Sequence, residues 1–157
     1  MQNVPVVPLQ NPVEPQNADD FLLPPLNSLT LLLVDDSRSM LIMLKSQLEK
    51  SGFVLFKTAV SGLEALDILE NDKVEVILSD WNMPGMGGLE LLAKVRASAR
   101  CARLPFILVT AKAASAHILL AIRAGADDYV IKPVNVENLA KKIQSVLRRK
   151  LSLKKDL

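Results

Sequence analysis

The sequence predicts an α/β fold, a doubly wound (βα)5 sandwich in which helices cover both faces of a five-stranded parallel sheet. From residue 30 onward, short runs rich in Val, Ile and Leu alternate five times with longer segments of helical periodicity. Continuous apolar runs of this kind are typical of parallel strands that are buried on both faces. Right-handed crossovers then place the helices on the two sides of the sheet. A chain of 157 residues is long enough for one domain with its own core.

Each strand and helix is assigned from its own residues. The predicted strands are Thr30–Val34, Phe53–Ala59, Val74–Ser79, Leu104–Val109 and Tyr129–Ile131. In the segments between the strands, apolar residues recur every three or four positions, which is the spacing along one face of a helix. These residues are Met40, Leu44 and Leu48, then Leu89, Leu92 and Val95, then Leu119 and Ile122, and finally Leu139, Ile143, Val146 or Leu147, and Leu151.

The ends of the predicted helices carry their own signals. The residues placed to begin helices are Ser37, Ser115 and Asn135, and those placed to end them are Gly52 and Gly125. Ser61 and Glu64 match a capping box at the start of the second helix, in which each side chain satisfies an exposed amide.

Residues 1–28 differ in composition from the remainder of the chain. They contain six of the nine prolines, set among Asn, Gln and Val. Such a segment cannot bury enough apolar surface to offset the entropy of ordering it. We therefore divide the chain into a flexible Pro-rich extension at 1–28, one domain at 29–150 and a basic tail at 151–157. The extension is a linker, a tether or a weak docking peptide, and the sequence leaves these three open.

The net charge of +2 conceals an asymmetry along the chain. Residues 1–29 contain three acidic residues and no Lys or Arg, which leaves 19 basic and 14 acidic residues, a charge of +5, in the remainder. Seven of the basic residues fall between Lys141 and Lys155. A basic helix of this kind suits nucleic acid or anionic lipid, but a solvated helix face is the more ordinary interpretation. We expect no nucleic-acid partner.

The sequence favours a cytoplasmic protein. No export signal is evident at the N-terminus, and the uninterrupted apolar runs are far too short to span a bilayer, so membrane insertion is not expected. The single cysteine, Cys101, excludes an internal disulfide and fits a reducing compartment. Cys101 lies in a polar stretch and is interpreted as a plain free thiol.

Polar residues follow the predicted strands at the point where each strand ends. Asp35 and Asp36 follow the first strand, Asp80 the third, Thr110 the fourth and Lys132 the fifth. In an open parallel sheet, ligands bind in the crevice beyond the carboxyl ends of the strands. Three carboxylates, a hydroxyl and an ammonium group are therefore expected in one pocket. An acidic loop edge that stays solvated is the simpler alternative, but it does not explain why all five residues fall at strand ends.

The chemistry of this set points to magnesium and phosphoryl transfer. Carboxylates about 4 Å apart repel by roughly 4 kcal/mol per pair at an effective dielectric near 20. A Mg²⁺ ion with oxygen ligands would relieve this repulsion. The isolated Asp80 is suited to attack phosphorus and form an acyl phosphate, with Lys132 as a point charge and Thr110 as a hydrogen-bond donor. The Lys132–Pro133 bond can be cis, which would aim the lysine inward.

The motifs at these strand ends closely resemble those of the receiver domain of bacterial response regulators. The resemblance covers about Leu29 to Lys150 and rests on VDDSRSM, SDWNMPGMGGLELL, LVTAKA and DDYVIKP. SDWNMP is especially similar to the single-domain chemotaxis response regulator. The resemblance implies the flavodoxin-like receiver fold and a role in a two-component phosphorelay, as a phosphoacceptor and not as an enzyme.

Roles for individual residues follow from this resemblance. It implies that Asp80 accepts a phosphoryl group from a histidine kinase or a histidine phosphotransfer protein. It also implies that Asp35, Asp36, Asp80 and the backbone carbonyl of Asn82 organise Mg²⁺, with Asp36 the more direct ligand. Thr110 and Tyr129 would be the switch pair, and Lys132 the lysine that senses the phosphoryl group.

Two positions depart from the motif of the chemotaxis regulators. Lys112 stands where the most similar chemotaxis proteins have an acidic residue, so the lifetime of the phosphoryl group does not transfer from them. Lys112 and Asn82 are the positions expected to tune that rate. Gly87 stands where many members of the family have Asp, which affects the flexibility of its loop.

Three aromatic side chains near these motifs have simpler explanations. His117, the only histidine, is interpreted as an exposed side chain on a helix away from the strand ends. Trp81 is interpreted as a partly exposed aromatic beside a turn, although it could shield the site. Tyr129 is either a strand aromatic that packs permanently or, as the resemblance favours, a rotamer switch.

Output is expected through a protein-binding face. This face comprises residues 115–124, 128–132 and 135–150, and phosphorylation at Asp80 would switch it. Only seven residues follow Lys150, so we expect a stand-alone regulator of the chemotaxis or motility type. A receiver fragment of a larger regulator or of a hybrid kinase is the alternative.

Other functional classes fit the motifs less well. A magnesium-dependent aspartyl-phosphate phosphatase would carry its nucleophile in a DxD pattern at the first strand, which here ends in DDSR. A flavin-binding electron carrier would need a phosphate loop after the first strand, where Asp35 and Asp36 would repel the phosphate. A pseudo-receiver that works without phosphorylation is disfavoured because every residue of the site is present.

Overall fold

The structure, a computed structural model, describes residues 23–155 and the side chains as far as residue 151. Most of the predicted Pro-rich extension therefore lies outside the described residues. Within them, strands and helices alternate as β1 (Thr30–Val34), α1 (Arg38–Lys50), β2 (Leu55–Ala59), α2 (Gly62–Asn71), β3 (Val76–Asp80), α3 (Gly88–Ala97), β4 (Phe106–Thr110), α4 (Ser115–Arg123), β5 (Asp128–Ile131) and α5 (Val136–Lys155).

The five strands form one parallel sheet in the order β2-β1-β3-β4-β5. The predicted doubly wound sandwich is thus confirmed. The order changes direction between β1 and β3, which are neighbours in the sheet but not in the chain. At such a point the two following loops run to opposite faces and leave a crevice at the carboxyl edge of the sheet.

The core lies in two layers, one on each face of the sheet. One layer packs α1 and α5 against the sheet, with Leu44, Leu48 and Ile143 almost inaccessible to solvent. The other packs α2 and α3, with Leu69 and Leu91 equally buried. Strand residues alternate between the layers because successive side chains point to opposite faces.

The predicted boundaries deviate in a regular way. Strands β2, β3 and β4 each begin two residues later than predicted, at Leu55, Val76 and Phe106. All the skipped residues except Glu75 are apolar, and several of them are buried at the amino edge of the sheet, as Phe53 and Val74 are. Apolar character alone therefore does not separate a strand from the buried turn that precedes it. Strands β3 and β4 also extend one residue further, so that Asp80 and Thr110 belong to the strands.

The predicted caps are present, with one difference. Ser37 accepts from the Met40 amide at 3.3 Å, and Asn135 from the Asn138 amide at 3.1 Å. Ser61 also caps α2, but the Glu64 carboxylate accepts from the Val60 amide instead of completing a reciprocal pair with Ser61.

Two helices end just before the glycines that the sequence predicts to end them. Gly52 and Gly125 both have positive φ, +106° and +98°, as helix-ending glycines commonly do. Helix α4 begins at Ser115 without a side-chain cap on its preceding residue, Ala114. Helix α5 continues to Lys155, five residues past the predicted end of the domain at Lys150.

The end of the predicted extension and the single cysteine both pack more closely than expected. Leu26–Ser28 forms one turn of 3-10 helix, and Leu23 and Leu26 pack against the core, so the end of the predicted extension is structured. Cys101 is a free thiol, as predicted, but it is buried among apolar side chains beside α3 instead of lying in a polar stretch.

Candidate functional site

Three carboxylates meet at the carboxyl edge of the sheet. Asp35 follows β1 directly and Asp80 ends β3, so the pairing of these two strands brings the side chains together. With Asp36 they offer oxygen atoms that all lie within 4.8 Å of one another. Asp35 is buried, Asp36 is exposed and Asp80 is intermediate, so the cluster opens to solvent on one side. The structure therefore brings together the three aspartates that the sequence predicts to share a site.

Lys132 lies against two of the three carboxylates. Its Nζ atom is 3.3 Å from Asp35 and 3.5 Å from Asp80. The Lys132–Pro133 peptide bond is cis, as the sequence analysis allows. The lysine side chain is only 21% exposed, so it contributes its charge inside the crevice. One ammonium group cannot neutralise three carboxylates, and a net negative charge remains.

Burial and the neighbouring charges together affect the protonation of Asp80. Burial raises the pKa of the Asp80 carboxyl above its ordinary value, because desolvation penalises the charged form. The Lys132 charge opposes this effect, while the nearby Asp35 carboxylate adds to it. The Asp80 carboxylate also accepts a hydrogen bond from the Trp81 amide at 2.8 Å, which fixes its orientation. A second cation in the crevice would favour the charged form of Asp80.

The donor set at this position fits a small, hard cation. Mg²⁺ prefers oxygen ligands, commonly one or two carboxylates with the remaining positions filled by water or phosphate oxygens. Asp36 and Asp80 provide carboxylate oxygens at the open side of the cluster. Asn82 lies two residues beyond Asp80, with its side chain exposed to solvent. These carboxylates could hold a metal ion, and the residues present fit the predicted magnesium site.

The loop after β3 passes close to the strand that precedes it. The Gly88 amide donates to the Trp81 carbonyl at 2.8 Å, which closes the loop at the start of α3. A Cβ atom on Gly88 would lie 2.2 Å from the Asp80 carbonyl oxygen. Only glycine therefore allows α3 to begin so near the acidic cluster. No role for Gly88 was predicted from the sequence, and the GG pair at positions 87 and 88 is the signal that could have indicated it.

Thr110 and Tyr129 lie on the adjacent strands β4 and β5. Thr110 is buried, and its hydroxyl accepts from the Lys112 amide at 3.1 Å. The Tyr129 hydroxyl donates to the Lys112 carbonyl, so both side chains bind the same residue. Partial burial raises the pKa of the Tyr129 hydroxyl, and a hydrogen bond with Thr110 opposes the rise. A displacement of Thr110 would therefore change its hydrogen bonds with the loop at Lys112 and with Tyr129.

Trp81 is the centre of an aromatic cluster beside the site. Its ring packs edge-on against His117 at 5.6 Å and against Tyr129 at 6.1 Å between ring centroids. The ammonium group of Lys112 lies 5.2 Å from the centroid of the Trp81 ring, within range of a cation–π interaction. Helix α4 is thereby tied, through His117, to the residue that follows Asp80.

Two predictions from the sequence are wrong at this cluster. Trp81 is 8% exposed and belongs to the core, whereas a partly exposed side chain was expected. His117 is partly buried against Trp81, whereas an exposed side chain away from the strand ends was expected. The reason is that α4 begins only a few residues after β4, so its first turn lies over the carboxyl edge of the sheet. Helical periodicity does not reveal this placement.

Comparison with known proteins places the chain in a family. Residues 31–144 match the family described as "Response regulator receiver domain". The chain is 41% identical over 118 residues to the "Chemotaxis protein CheY homolog" of Campylobacter jejuni, which covers 74% of this chain and 91% of that protein. It is 39% identical over 119 residues to the "Chemotaxis protein CheY" of Pseudomonas aeruginosa, covering 76% and 96%.

Solved structures give the same result. The chemotaxis response regulator CheY4 of Vibrio cholerae is similar with a TM-score of 0.70 and 33% identity, covering 75% of this chain and 98% of that one. A CheY-like receiver domain protein of Methanospirillum hungatei also has a TM-score of 0.70 at 33% identity, covering 78% and 95%. The predicted resemblance is confirmed, and the chain belongs to the response regulator receiver domain family of two-component signalling.

Proposed function

We propose that the protein is a phosphorelay receiver in which Asp80 accepts a phosphoryl group from a phosphohistidine of a histidine kinase or a histidine phosphotransfer protein. The observation that carries the proposal is the cluster of Asp35, Asp36 and Asp80 within 4.8 Å, with Lys132 against two of them. Membership of a phosphoacceptor signalling family supports it. Family membership also favours this role over the magnesium-dependent phosphatase that was considered from the sequence.

The proposed transfer uses Asp80 as the nucleophile. An oxygen of its carboxylate attacks phosphorus, the bond between phosphorus and the imidazole nitrogen breaks, and the neutral histidine leaves after protonation. Lys132 provides a fixed positive charge beside the phosphoryl oxygens. Thr110 ends the neighbouring strand, one residue past Val109, which pairs in register with Asp80, and its hydroxyl would donate a hydrogen bond to one of those oxygens.

A magnesium ion belongs to this proposal. Asp35, Asp36, Asp80 and the Asn82 carbonyl would hold it, with Asp36 the more direct ligand because Asp35 is occupied elsewhere. The Asp35 carboxylate already accepts from the Ser37 amide at 2.8 Å and contacts Lys132. When bound, Mg²⁺ supplies positive charge that offsets the negative charge of the phosphoryl oxygens. Asn82, two residues beyond Asp80, and Lys112, two residues beyond Thr110, are proposed to tune the lifetime of the acyl phosphate.

The output is proposed to pass through residues 115–124, 128–132 and 135–150. Four large apolar side chains on this face are exposed: Leu119 at 47%, Leu120 at 50%, Ile122 at 61% and Ile131 at 42%. When Thr110 moves toward the phosphoryl group, it would release the space and the hydrogen bonds that it shares with Tyr129. The partner is a downstream target protein that distinguishes two packings of this face, which needs a few kcal/mol.

We also propose a pathway for this chain. Several relatives are named as chemotaxis proteins, which supports a chemotaxis or motility role for this chain. None of the helices within residues 23–155 has the length and apolar character needed to cross a membrane. We keep the division into an extension at 1–28, a receiver domain at 29–150 and a tail at 151–157.

The test is phosphorylation by a small phosphodonor. Acetyl phosphate with MgCl₂ should add one phosphoryl group to the full chain, measured as intact mass. Asp80→Asn should abolish the addition, because an amide oxygen is a poor nucleophile. Asp67→Asn, which changes an exposed carboxylate on α2, is the matched control and should leave the addition unchanged. Retention of the phosphoryl group in Asp80→Asn would overturn the assignment.

A second experiment tests the switch. In amide NMR spectra of the full chain, phosphorylation should shift the resonances of α4 and β5. Thr110→Ala should still accept the phosphoryl group but should lose most of the shift at Tyr129 and along α4. Equal shifts in the parent and in Thr110→Ala would show that Thr110 does not couple the two regions.

A further inference from the structure

A groove of about 490 Å³ lies at the amino edge of the sheet, opposite the acidic cluster. We call it the basal groove. It is formed where β1, β3 and β4 begin and where α5 ends. Apolar side chains contribute to its walls, among them Leu29, Val74, Leu104 and Leu147. The phosphoryl chemistry proposed above uses none of these residues, so the groove is available for a different ligand.

The rim of the basal groove is positively charged. Four basic residues line it, namely Lys73, Arg100, Arg103 and Lys150, against one acidic residue, Glu75. The Lys73 side chain is 89% exposed and lies 3.6 Å from Glu75. Arg103 is also exposed. An apolar groove with a cationic rim suits a segment that has both acidic and apolar side chains.

The chain itself supplies such a segment at the mouth of the groove. Pro24 is one of the lining residues, so residues 1–22 join the described structure at this point. Those residues include three acids, Glu14, Asp19 and Asp20, and no Lys or Arg. Phe21 and Leu22 provide apolar side chains immediately before the described residues.

The distances along the chain are compatible with docking. Asp20 and Asp19 precede Pro24 by four and five residues (24 − 20 and 24 − 19). Extended chain of that length spans at most about 18 Å, enough to cross the rim of such a groove. Leu23 and Leu26 already pack against the core layer that contains Leu29 and Leu147. Docking of the preceding residues would continue that contact.

We propose that residues 14–22 of this chain dock in the basal groove, with Phe21 in the apolar part and Asp19 and Asp20 beside Lys73 and Arg103. Because the segment is tethered at Pro24, its effective concentration at the groove is on the order of millimolar, and weak contacts suffice. The occupied groove lies at the opposite edge of the sheet from Asp80. Docking therefore leaves the phosphoacceptor site open and does not depend on the function proposed for it.

Protease protection of the full chain tests the proposal. Chymotrypsin cleaves after Phe21, and the rate is followed by intact mass so that only this cut is counted. In Lys73→Glu/Arg103→Glu, which repels Asp19 and Asp20, cleavage should be about fivefold faster than in the parent. Lys141→Glu, which changes an exposed lysine on α5 away from the groove, is the matched control and should keep the parent rate.

A charge swap gives the decisive comparison. Asp19→Lys/Asp20→Lys should lose protection, and combining it with Lys73→Glu/Arg103→Glu should restore protection. The Asp19→Lys/Asp20→Lys variant and the combined variant have the same residues around the cleaved bond. A difference between their cleavage rates therefore reflects docking alone. Restoration also shows that the groove variant is folded. Equal rates in all variants would overturn the proposal. Protection that rises with protein concentration would overturn it as well, since the groove would then hold the segment of a second copy.

Discussion

Charged side chains are arranged in opposite ways at the two edges of the sheet: they are paired at the amino edge and crowded with like charges at the carboxyl edge. At the amino edge, the Arg96 guanidinium donates to the carbonyls of Ala102, Leu104 and Gly125 and pairs with Asp127 at 2.8 Å. Asp127 also accepts from the Phe106 amide at 2.9 Å. At the carboxyl edge, three carboxylates lie together, and within the described part of the chain Lys132 pairs with two of them, Asp35 and Asp80.

The difference separates a structural charge from a functional one. A partly buried ion whose hydrogen-bonding groups are all occupied holds its neighbours in place and gains nothing from a ligand. A partly buried cluster with excess charge is unfavourable until a ligand supplies the opposite charge. The raised pKa of Asp80 shows that its charged form is unfavourable in this crevice, mainly because the carboxylate is buried. Removing the Arg96 charge should therefore destabilise the amino edge, whereas removing one carboxylate should stabilise the carboxyl edge.

The largest effect is expected at Arg96. Arg96→Leu keeps an apolar side chain but leaves Asp127 and three carbonyls without this donor, which should lower the free energy of unfolding by about 3 kcal/mol. Urea denaturation of the parent and the variant measures it. Arg100→Leu, at an exposed site with one hydrogen bond to the Glu70 carbonyl, is the control and should cost less than about 1 kcal/mol. A loss of that small size in Arg96→Leu would remove the contrast between the two edges.

Magnesium should produce the next largest effect. A ligand at tenfold excess over its Kd stabilises the folded state by about 1.4 kcal/mol. MgCl₂ should therefore raise the Tm of the parent, whereas NaCl of equal ionic strength should not. Asp36→Asn removes an exposed carboxylate from the cluster and should abolish most of the rise. An identical rise in Asp36→Asn would place the bound ion elsewhere.

Asp80→Asn should increase stability when magnesium is absent. The folded-state pKa of Asp80 is raised, mainly by burial, so the folded state binds the proton more tightly than the unfolded state does. This favourable contribution is present at low pH and is lost as the pH rises through the folded-state pKa. At pH 7 the charged carboxylate is therefore a cost, on the order of 1 kcal/mol, mainly because its charge is buried.

The pH dependence distinguishes this cause from a general effect of the substitution. The advantage of Asp80→Asn over the parent should be greatest at pH 7 and should shrink as the pH falls through the raised pKa of Asp80. Thermal unfolding between pH 4 and pH 7 without divalent ions measures the difference. An advantage that stays constant over this range would mean that ionisation of Asp80 is not its source.

The sequence predicted the acidic site better than the network at Arg96. Strand ends and loop order place Asp35, Asp80 and Lys132 at one edge, since β1, β3 and β5 are parallel and short. Arg96 gives no such signal, because it lies in the last turn of an amphipathic helix and its partners are mostly backbone carbonyls, which no residue type reveals. The same limit explains the wrong predictions for Trp81 and His117. Their burial depends on where α4 crosses the sheet, which is a property of packing and not of periodicity.

The smallest expected effect is that of the cation–π interaction between Lys112 and Trp81. Lys112 is a cation at the carboxyl edge that lies outside the acidic cluster. Lys112 lies 5.2 Å from the Trp81 ring, whereas Lys45 on α1 lies 6.0 Å from the Phe56 ring. Tryptophan is the stronger partner and the approach is closer, so the first pair should be worth about 0.5 kcal/mol and the second less. Double-mutant cycles of unfolding, with Lys112→Ala and Trp81→Leu in one and Lys45→Ala and Phe56→Leu in the other, measure both coupling energies. If the Lys45 pair gave the larger coupling, Lys112 would not be held over Trp81 by its charge, and its proposed influence on the site would need another cause.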